Sequence, residues 1–138
     1  MLNPVPAQRI EAVAVAALAV VVTVAAGYAW WWLLALFLVF DLPMLGYLHG
    51  PRLGAFCYNL AHSYTLPALL AAVAVAAAAL RDPIDWLGIL AIAWVFHIAL
   101  DRALGYGLKT TEGFEHTHLG PIGRARRAGS SADTRSRG

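Results

Sequence analysis

Between Ala12 and Leu80 only two side chains, Asp41 and Arg52, carry a full charge at neutral pH. A soluble fold of 138 residues has too much surface for its volume to hide so long an apolar run. The whole chain is 60% hydrophobic and 13% charged, where an ordinary globular domain carries about a quarter charged residues. Five Trp, five Tyr and five Phe argue for packing and against disorder. The single Cys57 excludes a disulfide framework and a cysteine-rich zinc site. The net charge of +2 does not indicate nucleic acid, because five of the ten basic residues fall in the last fifteen positions, as a tail and not a face. The composition is that of an integral membrane protein.

A spanning helix needs about 20 mostly apolar residues, and four stretches qualify, at about 10–27, 30–48, 52–80 and 84–106. Gly27-Tyr28, His49-Gly50-Pro51 and Arg81-Asp82-Pro83 separate them. Such short breaks make consecutive helices antiparallel neighbours, so the expected fold is all-α, a compact four-helix bundle with short loops. Small residues at Ala25 and Ala26 would suit a signal peptidase, but the apolar run is long and a second follows almost at once. Arg9, Arg52, Lys109 and the arginines of the tail fall on one side of the four spans, and only Arg81, offset by Asp82 and Asp85, on the other. The positive-inside rule then puts both termini in the cytoplasm, in a multi-pass protein of the cell inner (plasma) membrane. Trp30, Trp31, Trp32 and Trp86 fall at the opposite interface. Residues 1–119 form the membrane domain with its loop segment 107–119, and 120–138 read as a disordered Arg-rich cytoplasmic tail.

Ionisable groups within a span cost several kcal/mol each, so each is a candidate for function. Asp41 lies about 10 Å from the cytoplasmic end of span two, at roughly 1.5 Å per residue, with Asn59 and His62 at a similar depth in span three. His97 and Asp101 lie in the cytoplasmic half of span four, four residues apart and so on one face. Asp41, His62, His97 and Asp101 therefore come from three helices to one leaflet. Two histidines and two carboxylates suit a divalent cation such as zinc, manganese or iron. A metal would also neutralise carboxylates that stay ionised in lipid only at great cost. Two blander readings stand beside this one. The four can form a polar network that locks the bundle, with Asp101 paired to Arg102 or Arg52. Asp41 can satisfy backbone freed by Pro43. Asn59 and Tyr64 read as supports close to substrate, and Arg52 as a receptor for an anionic headgroup. Cys57, Tyr47, Tyr58 and Tyr106 read as packing or interface residues. After span four, Gly105 and Gly107 let the chain turn back under the bundle. His116 and His118, two apart in an extended segment, would face one side and cover the cytoplasmic opening or complete a metal shell.

These residues carry a resemblance. The runs Asp41-Leu42-Pro43-Met44-Leu45-Gly46-Tyr47, Tyr58-Asn59-Leu60-Ala61-His62-Ser63-Tyr64 and Asp101-Arg102-Ala103-Leu104-Gly105-Tyr106-Gly107-Leu108-Lys109, with Thr117-His118-Leu119-Gly120, resemble the bacterial DUF4260 family over nearly the whole chain up to about Gly123. That resemblance implies a small four-span membrane protein and no particular activity. A narrower likeness is to membrane-bound metal-dependent hydrolases of the LexA-regulated type, which order an Asp, a His-Ser pair and a His-x-x-x-Asp as Asp41, His62-Ser63 and His97-x-x-x-Asp101 stand here. The chain departs from that type in having no second Asp or His close behind Asp41, and His49-Gly50-Pro51-Arg52 matches its His-Arg pair only loosely.

The reading that follows is a membrane-embedded, metal-dependent hydrolase acting on a lipid-like or amphiphilic substrate at the cytoplasmic leaflet, with membrane lipids as its surroundings and self-association left open. Asp41, His62, His97 and Asp101 would hold the divalent metal ion and carry catalysis, with Arg52, Asn59, Tyr64, His116 and His118 lining the substrate. The same four residues without metal could run acid–base chemistry, as an isomerase or cyclase does. A small proton-coupled transporter is the alternative from another class, and a scaffold that binds anionic lipid through its tail is a third.

Overall fold

The computed structural model describes residues 4–118 and 120–123; the Arg-rich stretch expected from Arg124 onward lies outside the described residues. Helix α1 (Pro4–Ala25) is followed by a short α2 (Trp32–Ala35) and a 3₁₀ helix (Phe37–His49), then by α3 (Pro51–Ala61), α4 (Thr65–Ala79) and α5 (Asp85–Leu104). Four segments, Val5–Ala25, Trp32–His49, Pro51–Ala79 and Asp85–Leu104, are long and apolar enough to cross a membrane. The fold is an all-α, four-span membrane bundle. The start of α1 and the end of α5 share one end of it, the terminal end, where Arg9 lies against Gly105 so closely that a Cβ there would strike the guanidinium.

The second span is not the α-helix its apolar run implied. Pro43 lacks an N–H and its ring collides with the carbonyl four residues back in an α-helix, and the span runs for thirteen residues as a 3₁₀ helix instead. At about 2.0 Å rise per residue it stretches to roughly 26 Å, so that with α2 some eighteen residues cover the hydrocarbon layer of about 30 Å. Side chains three apart now eclipse. Phe37 and Phe40 share a row that meets Trp94, Phe96 and His97 of α5, while Asp41 and Tyr47 share the next row, toward α3. Tyr47 fits there only because residue 54 is glycine: a Cβ on Gly54 would overlap its ring.

The third span also breaks. Pro67 cannot donate to the Ser63 carbonyl and crowds it, and the helix stops at Ala61 and restarts at Thr65. The break frees carbonyls at membrane depth, which need new donors. Trp94 Nε1 donates to Ala61 at 2.6 Å and Arg102 Nη2 to His62 at 3.4 Å. This ties α5 to the break and holds His62 at the end of α3.

Elsewhere the packing is by small residues. Ala12, Ala16, Ala19 and Thr23 form the buried stripe of α1, which lies along α5, and Thr23 turns its hydroxyl back to the Ala19 carbonyl at 2.8 Å. Leu33, Phe40 and Ala93 centre the apolar core. At the far end Trp30, Trp31, Trp32 and Trp86 are exposed, as interfacial anchors require. At the terminal end α5 closes with Gly105 in the left-handed conformation (φ +98°), which only glycine adopts without cost. The chain then folds into a small antiparallel sheet, β1 (Lys109–Thr110), β2 (Gly113–Thr117) and β3 (Gly120–Pro121), in that order. The segment expected as a loop is thus a sheet packed on α3, and Gly120 and Pro121, counted with the tail from sequence, belong to its edge strand.

Candidate metal centre

The two broken or distorted spans and α5 bring Asp41, His62, His97 and Asp101 together, one ligand atom from each lying within 4.8 Å of all the others. His62 Nε2 stands 3.0 Å from His97 Nε2, 3.4 Å from Asp41 Oδ1 and 3.4 Å from Asp101 Oδ2, and His97 Nε2 is 3.6 Å from Asp41 Oδ1. The four residues named from sequence as one cluster are one cluster. Neither Arg52 nor Arg102 takes Asp101 as an ion-pair partner among the described residues; Arg102 lies over the Tyr64 ring, 5.1 Å from its centroid. Asp41 does not cap the proline-distorted backbone with its side chain but points to the histidines.

The placement of protons decides what such a cluster can hold. His62 Nδ1 lies 3.0 Å from the Tyr58 carbonyl, which only accepts, so that nitrogen carries a hydrogen, and Nε2, wherever it holds no second proton, presents a lone pair. Asp101 Oδ2 already accepts the Tyr58 hydroxyl at 3.1 Å. A lone pair and two carboxylate oxygens then face one another across 3.4 Å, an arrangement that repels itself unless protons or a metal ion enter. At metal–ligand bonds of about 2.0–2.2 Å, neighbouring atoms of a four-coordinate shell stand about 3.3–3.6 Å apart, close to the four separations above, while the remaining two pairs lie within 4.8 Å and would draw in around an ion. Two neutral imidazoles and two carboxylates would bind a dication as a neutral unit. The residues present fit such an ion, and two outer contacts fit too: a His held by a carbonyl and a carboxylate held by a hydroxyl are the usual supports of metal ligands, whereas His97 Nδ1 is buried with no hydrogen-bond partner among the described residues.

Burial grades across the site. His97 is fully buried, with the rings of Phe37 and Phe40 4.5 Å and 5.7 Å away, His62 is nearly so, and the Asp41 side chain remains one third exposed. Asp41 sits among the outward-facing Leu38, Leu42 and Leu45 of the 3₁₀ helix, so the cluster approaches the surface on an apolar flank of the bundle.

The other residues expected in the site divide. Tyr64 supports Arg102 beside His62. Asn59 is occupied: its amide donates to the Lys109 carbonyl at 2.8 Å and accepts from the Lys109 N–H at 2.7 Å, fastening β1 to α3. It braces the sheet. His118 Nδ1 accepts the Leu108 N–H at 2.9 Å, closing the same turn. His116 and His118 do not share a strand face, because β2 ends at Thr117, and neither joins the four-residue cluster. Arg52 is exposed on the first turn of α3, away from that cluster. Phe114 is the residue that anchors the sheet, set edge-on to Tyr47 and Tyr58.

Two participants were not read from sequence. Sequence alone reads Tyr58 as a packing or interface residue, yet it is 2% exposed, stacks on His62 with centroids 3.7 Å apart, and bonds Asp101. Its position four residues before His62 was the available signal. Lys109 belongs by sequence to the basic side, yet it is 4% exposed and its Nζ has no hydrogen-bond partner among the described residues. The amine rests on Phe114 (3.9 Å to the centroid), Tyr58 (5.0 Å) and Tyr106 (5.7 Å). Burial pushes it below the usual lysine range, and the Asp101 charge opposes that shift.

Among known families, the model described as "Domain of unknown function (DUF4260)" matches residues 6–122. No curated protein and no solved structure matches the chain.

Proposed function

The chain belongs to the DUF4260 family, and from the site it carries we propose that it is a membrane-embedded, metal-dependent hydrolase of a lipid-like or amphiphilic substrate. The observation that carries this reading is the convergence of His62 Nε2, His97 Nε2, Asp41 Oδ1 and Asp101 Oδ2 within 4.8 Å, with the His62 lone pair turned inward by the Tyr58 carbonyl. A bound dication would supply an activated water near neutral pH and polarise an ester or phosphoester. The protein's own part is to hold and orient. Tyr58 fixes the His62 tautomer through its carbonyl and the Asp101 rotamer through its hydroxyl. Phe37 and Phe40 keep water from the His97 side. Asp41, the most exposed of the four, is the carboxylate placed to accept a proton at the rim. The apolar flank around it suits a substrate that arrives through the bilayer. The bias of Lys and Arg assigns the terminal end to the cytoplasm, and so the site to the cytoplasmic leaflet of the inner membrane.

One contact favours a metal-free acid–base catalyst as the second reading: His62 and His97 stand at hydrogen-bond distance through their Nε2 atoms. A transporter is favoured less, since the far half offers only apolar walls, in the pocket between α1, α4 and α5. Elemental analysis of the protein purified without chelator, beside H97A and D101A, tests the metal reading. The expected result is metal in the wild type and its loss from both variants with helical content unchanged. Equal metal content in all three would remove the metal, and chelator-resistant turnover would favour the acid–base catalyst.

A further inference from the structure

A second hollow lies at the terminal end of the bundle, apart from the metal ligands. The first turns of α1, the end of α5 and the sheet border a space of about 290 Å³, close to the lower end of the about 300–1,000 Å³ usual for ligand sites. None of Asp41, His62, His97 and Asp101 lines it. Leu104, Phe114 and Ile122 give it apolar walls, and Arg9 and Glu115 give it two opposite charges. Those charges do not meet. Arg9 Nη2 lies over Gly105 at the end of α5, and Glu115 Oε1 over Gly123 past β3, 3.1 Å from where a Cβ would stand. Opposite charges sharing so small a space attract, yet no ion pair joins Arg9 to Glu115 among the described residues.

The separation decides what the hollow takes. A plain anion would meet Arg9 but also the Glu115 carboxylate, and a plain cation the reverse. A group that carries both charges meets each at its own end, and the like-charge contact that penalises the others falls away. The donors narrow the choice further. A guanidinium offers the forked N–H groups that suit phosphate oxygens. A carboxylate only accepts, so it favours an ammonium with N–H donors over a quaternary one that has none. The Phe114 ring, which could otherwise cage a quaternary ammonium, already holds the Lys109 amine 3.9 Å from its centroid. Leu104, exposed on the last turn of α5, continues the apolar wall onto the outside of the bundle.

We infer that this hollow is a headgroup site for a phospholipid with a primary amine, of the phosphatidylethanolamine class, in which Arg9 receives the phosphate and Glu115 the ammonium. The chains of the lipid leave past Leu104 along the outside of α5. Bound there, one molecule ties α1 and α5 to β2 of the sheet. The site stands on its own residues and does not depend on a metal at Asp41, His62, His97 and Asp101.

The test uses the full-length protein in nanodiscs of equal parts phosphatidylcholine, phosphatidylethanolamine and phosphatidylglycerol, with the retained lipids read by native mass spectrometry. Wild type should retain phosphatidylethanolamine about tenfold over the other two, the low end of what a charge-assisted hydrogen bond supplies. R9Q should remove most of that retention. E115Q should abolish the preference over phosphatidylglycerol, since an anion then meets no carboxylate. R9K and E115D, which keep both charges, should recover part of the preference, and R52Q, at another arginine of the same side, should leave it unchanged. Equal retention of the three lipids by wild type overturns the site, as does a preference that survives in both R9Q and E115Q. A preference for phosphatidylglycerol lost in R9Q would mark a plain anion site, and one for phosphatidylcholine a cage of aromatic rings; either overturns the proposal. Soluble glycerophosphoethanolamine should compete weakly. If it displaces the lipid at equal concentration, a zwitterion without chains is the ligand and the lipid assignment falls.

Discussion

The two halves of this bundle are built from different materials. In the half toward the termini the buried residues include Tyr58, His62, His97 and Lys109, tied to one another and to Asp101, Asn59 and Arg102 by hydrogen bonds and ring contacts. In the far half α1, α4 and α5 meet through Ala19, Ala71, Ala74, Gly88 and Ala91, around a pocket of about 330 Å³ with almost no polar wall. Lipid tails are as apolar as leucine, so burying apolar surface does not drive these helices together, and close approach of small residues must. The polar half adds direction. A hydrogen-bonded group has one good position, whereas an alanine stripe tolerates sliding. The candidate site sits where geometry is fixed, and the far half supplies depth and anchorage.

The comparison breaks most visibly if a ligand is removed. H62A, H97A or D101A should each lower metal affinity by about 100-fold or more, beyond the range set by outer supports alone. Equilibrium dialysis reads this directly. Should any one of the three retain wild-type affinity, the polar half is glue and not a centre.

Next in size is the support. Y58F keeps the ring on His62 and the carbonyl on its Nδ1 but deletes the hydroxyl that holds Asp101. Metal affinity should fall about 10-fold to 100-fold, with little change in helix content by circular dichroism. An effect on folding with none on metal would assign Tyr58 to packing, as the sequence first implied.

That difference between ligand and support is also where the sequence stops being legible. Asp41, His62, His97 and Asp101 could be read because charge in a span is expensive and stands out against alanine and valine. Their common depth followed from counting residues along four apolar runs. Tyr58 could not be separated from Tyr47 or Tyr64 on those terms, since a tyrosine is equally at home in packing. The 3₁₀ form of the second span was hidden because that segment is apolar on nearly every side and carries no period to betray its pitch; only Pro43 marked it. Pro67 marked the break before Thr65 in the same quiet way. The sheet after Gly105 leaves no mark in the sequence because its strands are two, five and two residues long, too short for alternation to register.

A third test concerns how the sheet is attached. N59A removes both bonds to the Lys109 backbone, at about 0.5–1.5 kcal/mol each. Amide exchange at 109–117 should quicken while the spans keep their protection, and metal affinity should change less than in Y58F. Equal protection in N59A and wild type would mean that Phe114 and the Lys109 ring contacts hold the sheet without the clamp.

Lys109 gives a pH signature. Its amine is held below the ordinary value of 10.5 by burial, so between the lowered value and 10.5 the unfolded chain binds more protons than the folded one. Stability therefore rises with pH across that window and is lowest where the amine is fully charged in both states. K109M should raise the thermal midpoint at neutral pH and flatten this rise. A wild-type midpoint that falls steadily from neutral toward pH 10.5 while K109M tracks it would show that the amine is not strained by its surroundings.

The smallest effect belongs to the far half. A74V adds two methyl groups toward the pocket shared by α1, α4 and α5. There is room there, so the overpacking cost of about 1–3 kcal/mol that a filled core exacts should not arise. T23V removes a hydroxyl bonded only to its own helix, at Ala19, a bond whose loss frees no second side chain. Both variants should stay within about 1 kcal/mol of wild type in stability. Both should leave metal affinity unchanged, because no polar contact links them to His97 or Asp101. If either variant alters metal affinity as Y58F does, the two halves are mechanically coupled through α5, and the division drawn between them fails at the helix they share.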